Sequence, residues 1–203
     1  MFGGEWCDGC PDGKVEMQRL MAQNPDDVIG VVVHSQDAFE TINYNSLFGH
    51  IGGVSSFPSA AINRLAAVNS GDQSDFPVIT KQYWERNVNR ILGENTNIGL
   101  ALESKIEEDE CKVKVLVNGN NLDIDTDYRL TLYIIENNVA SINQIGKDNS
   151  FKHQMMLRGS LTAPLGESIT LKDYETFTKE FTLNLKGSIF DIAAAYSWWL
   201  FYS

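Results

Sequence analysis

Hydrophobic residues recur at two different spacings in this chain, and the spacing changes near residue 94. After Pro11 the apolar positions are Val15, Met17, Leu20 and Met21, with Lys14, Glu16 and Arg19 between them. That is a helical period, and Asn24-Pro25 ends it, because a residue before proline is pushed out of the helical region. Pro11 is tolerated near the helix start, where N–H groups have no helical partner. Val28-Ile29-Gly30-Val31-Val32-Val33 follows, a β-branched run of the kind that forms a strand covered on both faces. Asp37 is placed to cap a helix from Ala38 to Phe48, which Gly49, Gly52 and Gly53 break. Ser59-Ala60-Ala61-Ile62 reads as a second buried strand, and Asn69 to Asp75 as a polar loop. A helix then begins at Thr80, with Trp84, Val88, Ile91 and Leu92 on one face and Gly93 as its stop. Residues 1–94 therefore read as an α/β domain.

From Glu94 onward apolar and polar residues alternate. Ile98, Leu100 and Leu102 begin the pattern, and Cys111-Lys112-Val113-Lys114-Val115-Leu116-Val117 repeats it. Tyr128 to Ile134, Phe181 to Leu185 and Ile192 to Tyr202 continue it. Turn signals at Asn118-Gly119, Pro164-Leu165-Gly166 and Lys186-Gly187-Ser188 lie between these runs. Strands at this spacing predict an all-β antiparallel sandwich over residues 95–203.

Composition narrows the function classes. A formal net charge of −11, from 16 Lys+Arg and 27 Asp+Glu, argues against a nucleic-acid partner and gives no support to an anionic lipid surface. No apolar run approaches the ~20 residues that span a bilayer, and no basic-then-apolar leader precedes the first motif. Only Met1 to Glu5 stand before that motif, which normally follows a buried strand. The natural N-terminus, with a leading strand and any export signal, is therefore expected upstream.

The motif is Trp6-Cys7-Asp8-Gly9-Cys10-Pro11. Two cysteines separated by two residues can close a disulfide, and a thiolate at a helix start meets unpaired N–H groups that lower its pKa. Near an α/β pattern such a pair reads as a redox site, with Cys7 the exposed attacking sulfur and Cys10 the buried resolving one. Asp8 adds a negative charge that offsets the helix effect, so the pair is expected to be reducing or weakly reactive. Its partners would be protein thiols or disulfides. Phe57-Pro58 precedes the second short strand; in thioredoxin-fold proteins a cis-proline at this point packs against the disulfide, and the arrangement here looks similar. Trp6, Phe57 and Pro58 would then shape the substrate surface.

The bland alternatives stand beside this reading. The pair could be a structural disulfide in a non-enzymatic surface protein whose sandwich binds a protein or glycan. Cys111 shares a face with Val113, Val115 and Val117 and reads as a buried apolar thiol. His34, His50 and His153 show no metal-ligand spacing, so no metal or other cofactor is expected. His34 reads as a hydrogen-bonded strand-end residue, and His153 and Arg158 as strand residues paired across a sheet. Trp198-Trp199 and Phe201-Tyr202 could stack on a sugar, but alternation assigns one face to the core.

Over nearly its full length the chain resembles the outer-membrane-protein-28-related lipoproteins of anaerobic Gram-negative envelopes. The motif at Trp6–Pro11 carries the resemblance, with Phe57-Pro58-Ser59, Asn63-Arg64, Gln144, His153-Gln154-Met155-Met156-Leu157-Arg158-Gly159 and Leu165-Gly166-Glu167 in the same order. The resemblance implies a thioredoxin-like domain followed by a β-sandwich, anchored or exposed on the cell envelope (periplasm or outer-membrane surface), with any membrane attachment only through a lipid anchor. No buried acid equivalent to thioredoxin's proton acceptor can be placed from the sequence.

Overall fold

The computed structural model describes residues 1–69, 76–123 and 125–186, and the backbone of 197–201. In chain order these form β1 (Phe2–Gly3), α1 (Cys10–Gln23), β2 (Val33–His34), α2 (Tyr44–His50), β3 (Ser59–Ala61) and β4 (Val78–Thr80). A 3-10 turn (Lys81–Tyr83) leads into α3 (Trp84–Ile91), and then come β5 (Ile98–Glu107), β6 (Glu110–Gly119) and β7 (Arg129–Glu136). The chain continues through β8 (Val139–Ala140), β9 (Lys152–His153), β10 (Met156–Ser160), β11 (Glu167–Ser168), β12 (Thr176–Asn184) and β13 (Ser197–Phe201). None of the described helices is long and apolar enough to cross a membrane.

Two compact units result. The first joins Met1–Gly93 to Ile135–Gly159; the second holds Glu94–Ile134 and the chain from Ser160 onward. In the first, a mixed sheet has the order β2-β1-β3-β4, with β1 parallel to β2 and antiparallel to β3. Val32 adds a parallel bridge to Met156, its N–H donating to Met155 O at 2.8 Å. Helix α1 begins at Cys10 with Pro11 and Asp12 in its first turn, and Asn24 closes it by donating from its side chain to Leu20 O at 3.0 Å. Helix α3 runs up to Gly93, whose φ of +86° a side chain would disfavour.

The second unit is built on the β5–β6 hairpin. β12 lies along the other side of β6, giving the order β12-β6-β5 with both pairings antiparallel. β11 pairs antiparallel with β7, and β13 also pairs with β7. Cys111, Val113, Val115 and Val117 point inward from β6 and meet Ile98, Leu130, Leu132 and Leu185. Cys111 is thus a core residue, and burial raises its thiol pKa.

An α/β thioredoxin-like domain followed by an all-β sandwich is not what the chain forms. Strand outweighs helix, the strands are distributed over several small sheets, and three α-helices are present among the described residues. The β-branched run from Val28 yields only β2 and the Val32 bridge, because the pairing available to it is two residues long. Asp37 does not cap a helix from Ala38; its carboxylate is taken up by His34 and the N–H groups of Glu5 and Phe39, and α2 starts only at Tyr44. The expected turn at Lys186-Gly187-Ser188 and loop at Asn69 to Asp75 fall mostly outside the described residues. So do the side chains of the last alternating run, including Trp198, Trp199, Phe201 and Tyr202.

Candidate functional site

The segment between β1 and α1 makes two tight turns. Cys7 N–H donates to Gly4 O and Cys10 N–H to Cys7 O, each at 3.2 Å, and Cys7 and Cys10 are joined as a disulfide. Glycines let other groups approach this bond. A Cβ on Gly3 would sit 2.7 Å from Cys10 Sγ, and one on Gly13 would sit 2.8 Å from Pro58 Cβ. A Cβ on Gly9 would likewise sit 3.4 Å from Pro58 Cδ, so the proline lies against the first turn of α1. The Phe57–Pro58 peptide is cis. Trp6 donates from its indole N–H to Ser35 O at 2.6 Å and packs edge-on to Phe57, with ring centroids 5.0 Å apart. The structure thus brings Trp6, Cys7, Cys10, Phe57 and Pro58 into one neighbourhood.

Accessibility differs from the sequence expectation. Cys10 is wholly buried, but Cys7, expected to be exposed, is itself only 5% exposed, whereas Trp6 is 37% exposed. A loop from later in the chain ties down this backbone. Gln144 donates from its side-chain amide to Glu5 O at 3.2 Å and Cys7 O at 3.1 Å, while Ile145 N–H donates to Glu5 O at 2.8 Å.

The unit that carries the disulfide also holds a buried charged network. Lys14, one helical turn after Cys10, is 5% exposed, while its neighbour Val15 is 64% exposed. Lys14 Nζ donates to Nδ1 of His153, a wholly buried ring. The His153 ring stands 4.8 Å from that of His34, whose Nδ1 meets Asp37 Oδ2 at 2.7 Å. Phe39 packs edge-on to both imidazoles, and Phe151 packs on His153. Glu5 accepts a hydrogen bond from the Ser141 hydroxyl. Arg158 and Glu136 form a buried ion pair at 3.0 Å, and the guanidinium lies over Phe39.

The network biases protonation in one direction. Burial pushes the Lys14 ammonium down to about 8, against the pull of Asp37 and Glu5. Burial, with Lys14 and His34 nearby, pushes His153 down to about 3 and keeps it neutral. For Asp37 burial works upward, but the hydrogen bond and charge of His34 and two backbone N–H groups hold its carboxyl below the usual range. Among the described residues no group of three or more His, Cys, Asp or Glu is arranged to hold a metal ion.

Sequence reasoning found the cysteine pair, its proline and the hydrogen-bonded His34. It missed Lys14, Glu5, Asp37 and Ser141. The available signal was the helix phase: Lys14 is four residues from Cys10 and so shares its face.

These features belong to a protein of the cell envelope. The family model for outer membrane protein Omp28 matches residues 45–195, and the chain belongs to that family. The cysteine pair lies outside the matched segment. Among solved structures, HBP35 of Porphyromonas gingivalis is similar, with a TM-score of 0.74 and 21% identity over 92% of this chain and 63% of that one. At that identity the likeness is one of fold, and this chain spans about 63% of that protein's structure. No curated protein matches the chain.

Proposed function

We propose that this cell-envelope protein exchanges thiols and disulfides with partner proteins through Cys7 and Cys10. The observation that carries the reading is the neighbourhood itself: a cysteine pair at the start of α1, with Pro58 against the same helical turn and the part-exposed Trp6–Phe57 edge beside it. Cys7 acts as the nucleophile toward a protein disulfide, and Cys10 displaces the mixed disulfide that forms. Insulin reduction by the parent protein with a dithiol donor tests the reading directly. The expected result is turnover that Cys7→Ser abolishes, with Cys10→Ser accumulating a Cys7 mixed disulfide. Absence of both turnover and trapping ends it.

A second reading is favoured by the 5% exposure of Cys7. Here the disulfide is a staple in a surface protein whose partner, a protein or a glycan, binds elsewhere. Iodoacetamide labelling of the reduced protein separates the two: a staple leaves Cys7 unlabelled until the unit unfolds. The family resemblance further suggests a lipid anchor, which metabolic labelling of the full-length protein with a fatty acid tests.

A further inference from the structure

A buried sulfur that gains and loses a proton needs a buried partner to exchange it with, because water does not reach it. Cys10 is wholly buried, and its sulfur packs on Gly3. Lys14 stands one turn later on the same helix, on the same face, and Cβ atoms on a helix tilt toward its N-terminus. Residues four apart on a helix are neighbours, so the Lys14 side chain leans along the face that carries Cys10. There it meets His153 from β9, the Phe151 ring, Glu5 from the segment before Cys7, and Asp37 and His34 from the turn after β2. The arrangement leaves the ammonium one strong acceptor, the neutral His153 Nδ1, and two carboxylates acting on it through space.

We propose that Lys14 is the proton carrier for Cys10, with His153 as the residue that positions its amine. This rests on the exchange reading above and deepens it. When a partner dithiol reduces the protein, one partner thiolate attacks Cys7 Sγ, and the Cys10 sulfur leaves and takes the Lys14 proton. The partner's second thiolate then attacks the partner sulfur of the mixed disulfide, so the partner's own disulfide forms and Cys7 leaves as thiolate. Lys14, now a neutral amine, is reprotonated from solvent. In the opposite direction Cys7 attacks a protein disulfide, forming a mixed disulfide and releasing one thiolate. The Lys14 ammonium gives its proton to solvent, the neutral amine takes the Cys10 proton, and Cys10 attacks Cys7 Sγ. The internal disulfide re-forms, and the second partner sulfur leaves as thiolate and is protonated by water. Burial brings the amine to about 8, close to an ordinary thiol, so proton exchange between the two is nearly balanced at neutral pH.

The test reads ionisation, not turnover. In full-length Cys7→Ser protein, the Cys10 thiol is titrated by NMR of its labelled Cβ, with and without Lys14→Met. Losing the ammonium should raise the Cys10 midpoint by about one unit or more. An unchanged midpoint in folded Lys14→Met overturns the proposal. Should Lys14→Met fail to fold, the unsubstituted protein decides: the Lys14 amine titrates at a different pH in the oxidised and reduced protein, because coupling between two sites is reciprocal. Identical Lys14 titrations in both states overturn it. His153→Gln should move the Lys14 midpoint as well. An inactive protein in the insulin assay would end the exchange reading while leaving these titrations readable, so the two failures are distinct.

Discussion

In the second unit Val113, Val115, Val117, Leu130 and Leu132 close over an apolar interior, and Thr131 is the only buried polar residue among the described ones. In the first unit Glu5, Lys14, His34, Glu136, Gln144 and His153 are all buried. Taking an ion out of water costs several kcal/mol unless partners repay it, so a fold shaped by stability alone would discard such groups. Their concentration in the unit that carries the disulfide shows where something besides stability constrains the sequence. The second unit resembles a scaffold, and the first a site built at some expense to its own core.

The largest effect that sharpens the contrast is expected in the apolar core. Leu132→Ala should cost about 2–5 kcal/mol, the range for emptying a buried leucine site. Urea unfolding, with hydrogen exchange at Val113 and Val115 as the local reporter, measures it. A loss under about 1 kcal/mol would mean that this interior collapses around the hole and is less tightly packed than its burial implies.

Acid should separate the units next. The unfolded chain protonates His153 near its ordinary value of 6.5, while the folded chain resists until about 3. Stability therefore falls as the pH drops through that window, and the depressed Asp37 carboxyl extends the loss below the usual carboxylate range. At ~1.4 kcal/mol per pH unit the His153 shift is worth at most about 5 kcal/mol, and less once solvent screening is allowed for. Once the intrinsic slowing of exchange in acid is divided out, protection at Val32 and Val33 should fall between pH 6.5 and 3, while that at Val113 and Val115 changes little. His153→Gln should flatten this dependence, and a parent protein with equal acid sensitivity in both units would erase the contrast.

The same contrast explains what was legible. Helix α1, helix α3 and the alternating face of β6 follow from contacts between residues a few positions apart, which local periodicity encodes. The cysteine pair and Pro58 were legible because their residue types are rare and specific. The buried network was not, because Lys14 finds His153 at a separation of 139 residues and Glu5 finds Ser141 at 136. Read locally, a lysine between apolar helix positions is a solvent-facing residue. The thioredoxin-like expectation failed for a related reason: the apolar runs gave the residue types of long strands, but pairing partners exist for only two or three positions.

Reducing the disulfide should have a smaller effect, because so short a loop removes little entropy from the unfolded chain. A loss of about 2 kcal/mol, confined to the first unit, is the expected size. Thermal unfolding of the protein with and without a reductant measures it, with Cys7→Ser as a second route to the open state. A much larger loss, or one shared equally by both units, would favour the staple reading.

The finest test concerns Gln144, whose amide holds the carbonyls of Glu5 and Cys7 and so ties down the turn that carries the sulfur. Gln144→Ala removes three neutral hydrogen bonds, to the carbonyls of Glu5, Cys7 and Ile145, a stability cost of about 1 kcal/mol. If this tether limits access, loosening it by that amount should raise Cys7 alkylation in the reduced protein by about fivefold. Cys111, in the apolar core, should stay unlabelled throughout and serves as the internal control. Unchanged labelling of Cys7 would place the barrier in the turn that holds the sulfur itself. The first unit would then be as rigid around its cysteines as the second is around its valines, and the difference between them would lie in polarity alone.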